Sequence, residues 1–217
     1  WFYGLNIENG RIQDTQDCQL KTALRTICQQ LKPGIHLTAH QSLLFTNIAE
    51  AEKETLEQIL VSHGVRLSEE YSNARRWSMA CVAWPTCGLS ITESERALPG
   101  MIDELEVALE DMGLAEEKFT LRMTGCPNGC ARPYNPDIGL VGRAKNKYTL
   151  YVGGTRLGTR LAFVHRDMVS SENVVPVIIK LFEFFKTDRQ QDETFGDFCN
   201  RQGNETLLTF TASTASN

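Results

Sequence analysis

Residues 124–130 read Thr124-Gly125-Cys126-Pro127-Asn128-Gly129-Cys130. Two cysteines with three residues between them sit in a run of glycine, proline and asparagine. Glycine lets backbone pass close to a bulky group and proline fixes a turn. The stretch is therefore a loop that presents thiols. Upstream, Met79-Ala80-Cys81-Val82-Ala83-Trp84-Pro85-Thr86-Cys87 holds a second pair with five residues between them, and Pro85 and Thr86 bend the chain there. Thirty-eight residues, 88–125, separate the two pairs.

Each spacing is short enough for two thiolates to face one site. Four cysteines complete a cubane iron–sulfur cluster. Zinc also accepts four cysteines, but its pairs usually enclose roughly two to four residues, which fits Cys81 and Cys87 less well. Free cysteine is also among the most buried residue types, so plain structural burial is a third reading. Spacing alone leaves all three open.

Composition narrows the class. The sequence has 217 residues, 41% hydrophobic and 23% charged, with net charge −5. That is enough for one large domain or two small ones with a real core. No apolar run reaches the roughly 18 residues of a transmembrane helix, so no membrane partner is expected. A mildly acidic chain gives no electrostatic reason to expect nucleic acid. The sequence begins Trp1-Phe2-Tyr3-Gly4, with neither Met nor a signal-peptide pattern, as if entered inside a strand of something longer. The cysteine count is seven, an odd number in a long chain. That favours a reducing, cytoplasmic compartment over a disulfide scaffold.

Hydrophobic periodicity gives the organisation. Residues 1–7 suit a strand, Asn9-Gly10 a turn, and 18–32 a helix on Leu20, Leu24, Ile27 and Leu31, ended by Pro33-Gly34. Residues 35–48 read as a strand pair or one bent strand, and 49–63 as a helix closed by Gly64. This β-α-β-α order predicts an α+β, ferredoxin-like unit over residues 1–66. Polar residues 65–76 read as a linker or loop. A long helix over 92–113, capped by Thr92 or Ser94, is expected to break near Pro99-Gly100. Strands follow at 118–123, 137–142 and 147–153, then an apolar helix at 171–186 capped by Ser170 or Ser171. A second, mixed α/β domain is expected over 67–203, and a loose Thr/Ser-rich tail over 204–217.

With these elements in place, the chain resembles the sulfite and nitrite reductase hemoprotein family. The residues at 124–130 are similar to its second cluster motif and those at 79–87 to its first. Further resemblance lies in Phe2-Tyr-Gly-Leu-Asn-Ile-Glu-Asn-Gly-Arg-Ile12, Leu37-Thr-Ala-His-Gln41, Gly139-Leu-Val-Gly142, Gly153-Gly-Thr-Arg-Leu-Gly-Thr-Arg160 and Phe195-Gly-Asp-Phe198. It covers roughly residues 1–203 and is with the carboxy-terminal half of an assimilatory sulfite reductase.

The resemblance implies that Cys81, Cys87, Cys126 and Cys130 hold a [4Fe–4S] cluster. It implies that Cys130, as the catalytic thiolate, also bridges to a siroheme iron, with Gln41 and Asn128 close to the siroheme. The implied reaction is six-electron reduction of sulfite to sulfide. The implied partners are sulfite, an electron-donor protein (a flavoprotein subunit or a ferredoxin), and an amino-terminal half that carries the cationic residues for sulfite. The alternatives are a nitrite reductase of the same family and a cluster-only electron-transfer module. Gly129 favours sulfite, since nitrite enzymes tend to carry serine there. Within the sequence, Arg122, Arg132, Arg143, Lys145, Arg156 and Arg160 are candidates for binding siroheme carboxylates. Cys18, Cys28 and Cys199 read as packing residues, and no histidine pair has ligand spacing.

Overall fold

The computed structural model describes residues 1–213. The chain divides into two compact units, Trp1–Ser72 and the remainder from Asn73. The boundary falls later than residue 66 because the polar stretch after the second helix is tied back to the first strand. Ser68 accepts no loose role: its N–H donates to Tyr3 Oη at 3.1 Å and its hydroxyl to the Gly4 carbonyl.

The first unit runs β1 (Tyr3–Leu5), α1 (Leu20–Gln30), β2 (Gly34–Leu37), β3 (Leu43–Thr46) and α2 (Lys53–Ser62). The strands form an antiparallel sheet in the order β1-β3-β2, with Tyr3 opposite Phe45 and Ile35 opposite Phe45 on the other side. β1 and β3 alternate in burial, as half-buried strands should. Ala23 and Ile27 of α1 and Leu56 and Leu60 of α2 join Leu5 and Phe45 in one core. The edge strand β2 stays outside it, with Leu37 83% exposed. Residues 35–48 are thus a strand pair, turning at Gln41 with φ 60°.

The second unit begins with α3 (Asn73–Arg76) and β4 (Ser78–Ala80), then α4 (Leu98–Asp111), β5 (Leu121–Thr124), β6 (Ile138–Ala144), β7 (Lys147–Val152), β8 (Phe163–Ser170), α5 (Ser171–Asp188) and α6 (Phe195–Ser213). The sheet order is β4-β5-β6-β7-β8. β4, β5 and β6 are parallel, while β6, β7 and β8 are antiparallel. Leu121 and Met123 of β5 enter a core with Leu98 and Leu105 of α4, Phe182 and Phe185 of α5, and Phe195 and Phe198 of α6. Phe182 stacks on Phe195 with centroids 4.2 Å apart. Cys199 is fully buried in this core, where burial pushes its thiol well up.

Five expectations are corrected. The helix expected over 92–113 starts only at Leu98, and Pro99 lies in its first turn rather than breaking it. Proline is tolerated there because its missing N–H would have no helical partner. Thr92 and Ser94 are drawn off by the sheet: Thr92 Oγ1 accepts from Asn146 N–H at 3.0 Å, and Ser94 Oγ donates to the Met123 carbonyl at 2.8 Å. Residues 65–76 are not all loop, since α3 closes them and its Arg75 is buried against Asp103 and Glu106. β8 had no separate expectation. The stretch from Asn204, expected to be loose, is helical to Ser213 after a break at Gly203 (φ 73°, ψ 159°), and it buries Leu207. Residues 214–217 of the expected tail lie outside the described residues.

Several stretches that carried the resemblance prove to be joints of this unit. Arg160 donates to the carbonyls of Gly153 (2.7 Å) and Gly154 (3.1 Å) and to Asp197 (2.8 Å). The fully buried Asp137 carboxylate accepts from Thr120 N–H, Thr120 Oγ1 and Gly196 N–H.

His165 is 3% exposed; its Nδ1 meets Asn204 Oδ1 at 2.9 Å, and its Nε2 is buried with no hydrogen-bond partner. Burial lowers its pKa below the ordinary 6.5, and the charge of Arg166 adds to that. The unfolded chain therefore takes up a proton that the folded chain resists. Stability should be full above pH ~6.5 and fall as the pH drops through that value. Urea midpoints measured between about pH 7 and pH 5.5 should decline, and His165→Gln should flatten the decline; an unchanged slope in the variant would contradict it.

Candidate functional site

β4 and β5 pair in parallel with Ala80 opposite Met123, so both strands leave the sheet at the same end. The next residues are Cys81 in one chain and Gly125-Cys126 in the other. Cys81 N–H extends the ladder to the Met123 carbonyl at 3.0 Å, and Gly125 N–H points at Cys81 Sγ, 3.3 Å away. Carboxyl ends of parallel strands are the usual place for ligand sites in such sheets.

The first loop turns back on the second. Ala83 adopts φ 42°, Cys87 N–H donates to the Ala83 carbonyl at 2.8 Å, and Ser90 N–H to the Cys87 carbonyl at 3.2 Å. Ile91 and Thr92 then donate their N–H groups to the Gly125 carbonyl at 2.9 and 3.1 Å. Position 125 must be glycine for this approach: a Cβ there would meet Ser90 Oγ, the Thr92 carbonyl and, at 2.9 Å, Ala83 Cβ.

The second loop lies across the sheet face opposite the helical core. Gly129 has φ +71°, and a Cβ on it would meet the Tyr134 ring at 2.8 Å. Tyr134 Oη donates to the Pro127 carbonyl at 2.6 Å, and its ring sits edge-on to Tyr151 of β7 at 5.4 Å. The Pro133 carbonyl presses on Gly139 of β6, where no Cβ would fit. Arg122 of β5, 3% exposed, donates from Nη1 to Asn135 Oδ1 at 2.7 Å and to the Arg132 carbonyl at 3.4 Å. Desolvation is the main cause lowering its pKa, and the charge of Arg132 adds to it.

Five of the expected site residues therefore stand on two loops rooted side by side: Cys81, Cys87, Cys126, Asn128 and Cys130. All seven cysteines of the chain are free. Cys126 is buried, Cys81 and Cys87 are half-buried, and Cys130 is exposed. Asn128 is exposed as well. Gln41 belongs to the first unit, in the β2–β3 turn, where its N–H donates to the Thr38 carbonyl at 3.2 Å. Of the basic candidates, Arg160 and Arg122 are taken up by the bonds already described, and Arg143 stands 3.8 Å from Asp167. Lys145 and Arg156 are exposed. Among the described residues no three His, Cys, Asp or Glu side chains converge on a point that would hold a single ion. A cubane binds each thiolate to a different iron, so its four sulfurs stand further apart. The donor set, four free thiols around a backbone stripped of side chains at Gly125 and Gly129, fits such a cluster.

Sequence reasoning missed Tyr134 and Gly139 as supports of the second loop. Gly139 carried a signal, as a glycine within a strand marks close backbone approach.

Residues 71–214 match the family described as nitrite and sulphite reductase 4Fe-4S domain. Residues 1–63 match the nitrite/sulfite reductase ferredoxin-like half domain. The chain belongs to the nitrite and sulfite reductase family. It is similar to the "Sulfite reductase [ferredoxin]" of Synechococcus elongatus, at 44% identity over 98% of this chain and 34% of that protein. It is similar to the "Sulfite reductase [NADPH] hemoprotein beta-component" of Staphylococcus saprophyticus, at 41% identity over 94% of this chain and 36% of the relative. The structure of the Mycobacterium tuberculosis NirA protein matches with TM-score 0.73 and 27% identity, over 86% of this chain and 36% of that one. Dissimilatory sulfite reductase I shares the fold, with TM-score 0.69 at 13% identity. The chain thus spans about a third of the length of the curated relatives it matches.

Gly139→Ala should drive a methyl group into the Pro133 carbonyl and displace the second loop. A loss of ~1–3 kcal/mol in chemical denaturation is expected, as for overpacked sites. An unchanged midpoint would show that the loop does not rest on β6.

Proposed function

We propose that Cys81, Cys87, Cys126 and Cys130 bind a [4Fe–4S] cluster and that the Cys130 sulfur would also hold a siroheme. The chain is then the cluster-bearing, siroheme-facing part of a sulfite reductase. The exposure of Cys130, set against the buried or half-buried state of the other three thiols, carries this reading. A sulfur shared by two groups must reach beyond the loop that holds the first.

The chain's own residues do the positioning. The β4–β5 ends root both cysteine pairs, and the Gly125 N–H at 3.3 Å from Cys81 Sγ stabilises negative charge on that sulfur. Asn128, exposed two residues before Cys130, would offer its amide to a bound siroheme. Gln41 is proposed for the same role from the first unit. When bound, cluster and siroheme would pass electrons from a donor to sulfite, six in all for its reduction to sulfide. Sulfite over nitrite rests on the resemblance at Gly129, where nitrite enzymes tend to carry serine.

The cationic residues for sulfite lie, in this reading, in the two thirds of the relatives' length that the chain does not span. Electrons come from a protein donor, of the ferredoxin or NADPH-flavoprotein kind for which the relatives are named. A reducing, cytoplasmic setting suits seven free thiols.

Anaerobic reconstitution should load about four irons and four acid-labile sulfides per chain. Cys81→Ser, Cys87→Ser and Cys126→Ser should each abolish most of that uptake. A native chain that takes up neither iron nor sulfide would overturn the cluster. With reduced methyl viologen as donor, the chain alone should form no sulfide from sulfite, and robust turnover would refute the placement of the sulfite-binding cations.

A further inference from the structure

We propose that Arg122 is a positioning residue for the second cysteine loop, clamping its two ends together and so fixing where Cys126 and Cys130 stand. The relevance to a cluster rests on the function proposed above; the clamp itself does not.

Arg122 is almost wholly buried, yet no carboxylate pairs with it among the described residues. Asp137, whose charge acts on it, already accepts from Thr120 and Gly196. A guanidinium kept out of water without an anionic partner costs stability, so a sequence under no other constraint would place an apolar residue there. What Arg122 does instead is geometric. It lies on β5 four residues before Cys126, on the strand that delivers the loop. Its Nη1 donates to the Arg132 carbonyl and to Asn135 Oδ1, two and five residues after Cys130. One side chain thus joins the way into the cysteine turn to the way out.

The far end of the clamp is itself anchored. The Asn135 carbonyl accepts from Thr155 N–H at 3.0 Å. The side chain of Asn135 lies so close to Gly158 that a Cβ there would meet Nδ2 at 2.7 Å. Tyr134 and Pro133 hold the same segment to β7 and β6. Removing Arg122 would leave that return segment packed but free to slide relative to the end of β5. A lysine would keep the charge but end short of the Nη1 position.

The test compares the native chain with Arg122→Gln, Arg122→Lys, Asn135→Ala and the Arg122→Gln/Asn135→Ala double variant. Amide hydrogen exchange is read without iron, and the EPR spectrum of the reduced cluster after reconstitution. Each single variant should raise exchange several-fold over residues 126–135 while β6 and β7 stay protected, and the double variant should add nothing to Arg122→Gln, because that change already removes the contact with Asn135. The EPR lines of the variants should shift or broaden as the cysteines take several positions. Unchanged exchange and EPR in Arg122→Gln would overturn the clamp. So would full restoration by Arg122→Lys, which would make charge the cause, and so would loss of protection throughout β6 and β7, which would make the role one of folding. A native chain that binds no cluster defeats the proposed function instead, and the exchange data still decide the clamp.

Discussion

Everything near the cysteines depends on the parallel pairing of β4 with β5. Parallel strands end at one level, and here that level is set by Ala80 facing Met123. The pairing places Cys81 beside Gly125 although 44 positions of sequence separate them. Between the two strands the chain makes α4, which buries Leu98, Met101, Ile102, Leu105 and Leu109 against the sheet. This is a crossover connection of the kind parallel strands require. The hydrophobic packing of α4 therefore helps to hold the roots of the two cysteine loops side by side.

The loops are then shaped by what is missing from them. Gly125 has no Cβ, so its carbonyl can accept two N–H groups from the returning first loop. Gly139 has none, so the second loop can lie flat on β6. Opposing this close approach is the cost of burying backbone polar groups, and each carbonyl that presses inward finds a donor or an open face. The tight loops also leave the four thiols out of any disulfide, with the Gly125 N–H 3.3 Å from Cys81 Sγ.

Much of this was legible in the sequence, and unevenly. The cysteine spacing with its flanking glycines and proline located both loops, because thiol ligation and tight turns restrict residue choice strongly. The helices at 18–32 and 171–186 were visible because periodic apolar faces are a local property. The start of α4 was not, since Thr92 and Ser94 look like helix caps and are claimed instead by Asn146 in the β6–β7 turn, Tyr148 of β7 and Met123 of β5, far away in sequence. Nor was the helical run after Gly203, whose Thr/Ser-rich composition conceals Leu207 and Thr211 packed inward. The arginines misled in a similar way. Arg160 reads as a candidate for siroheme carboxylates, and its hydrogen bonds join the Gly153-Gly154 turn to the first turn of α6. Such roles depend on which loops meet, and no local pattern carries that.

The loop bearing Cys81 and Cys87 raises a last point of energetics. Val82, Trp84, Leu89 and Ile91 are 38%, 59%, 70% and 44% exposed. Single exposed apolar residues need no explanation, but four in ten positions around two thiols are costly to leave in water, at roughly 25 cal/mol for each Å² of apolar surface. A thiolate cluster gains from the opposite condition, because excluding water strengthens the hydrogen bonds to its sulfurs and governs its potential. Apolar side chains around ligating cysteines serve that purpose only when something covers them. The chain spans about a third of its relatives' length. An apolar rim around half-buried thiols, with Cys130 exposed beside it, is a surface that gains from being covered.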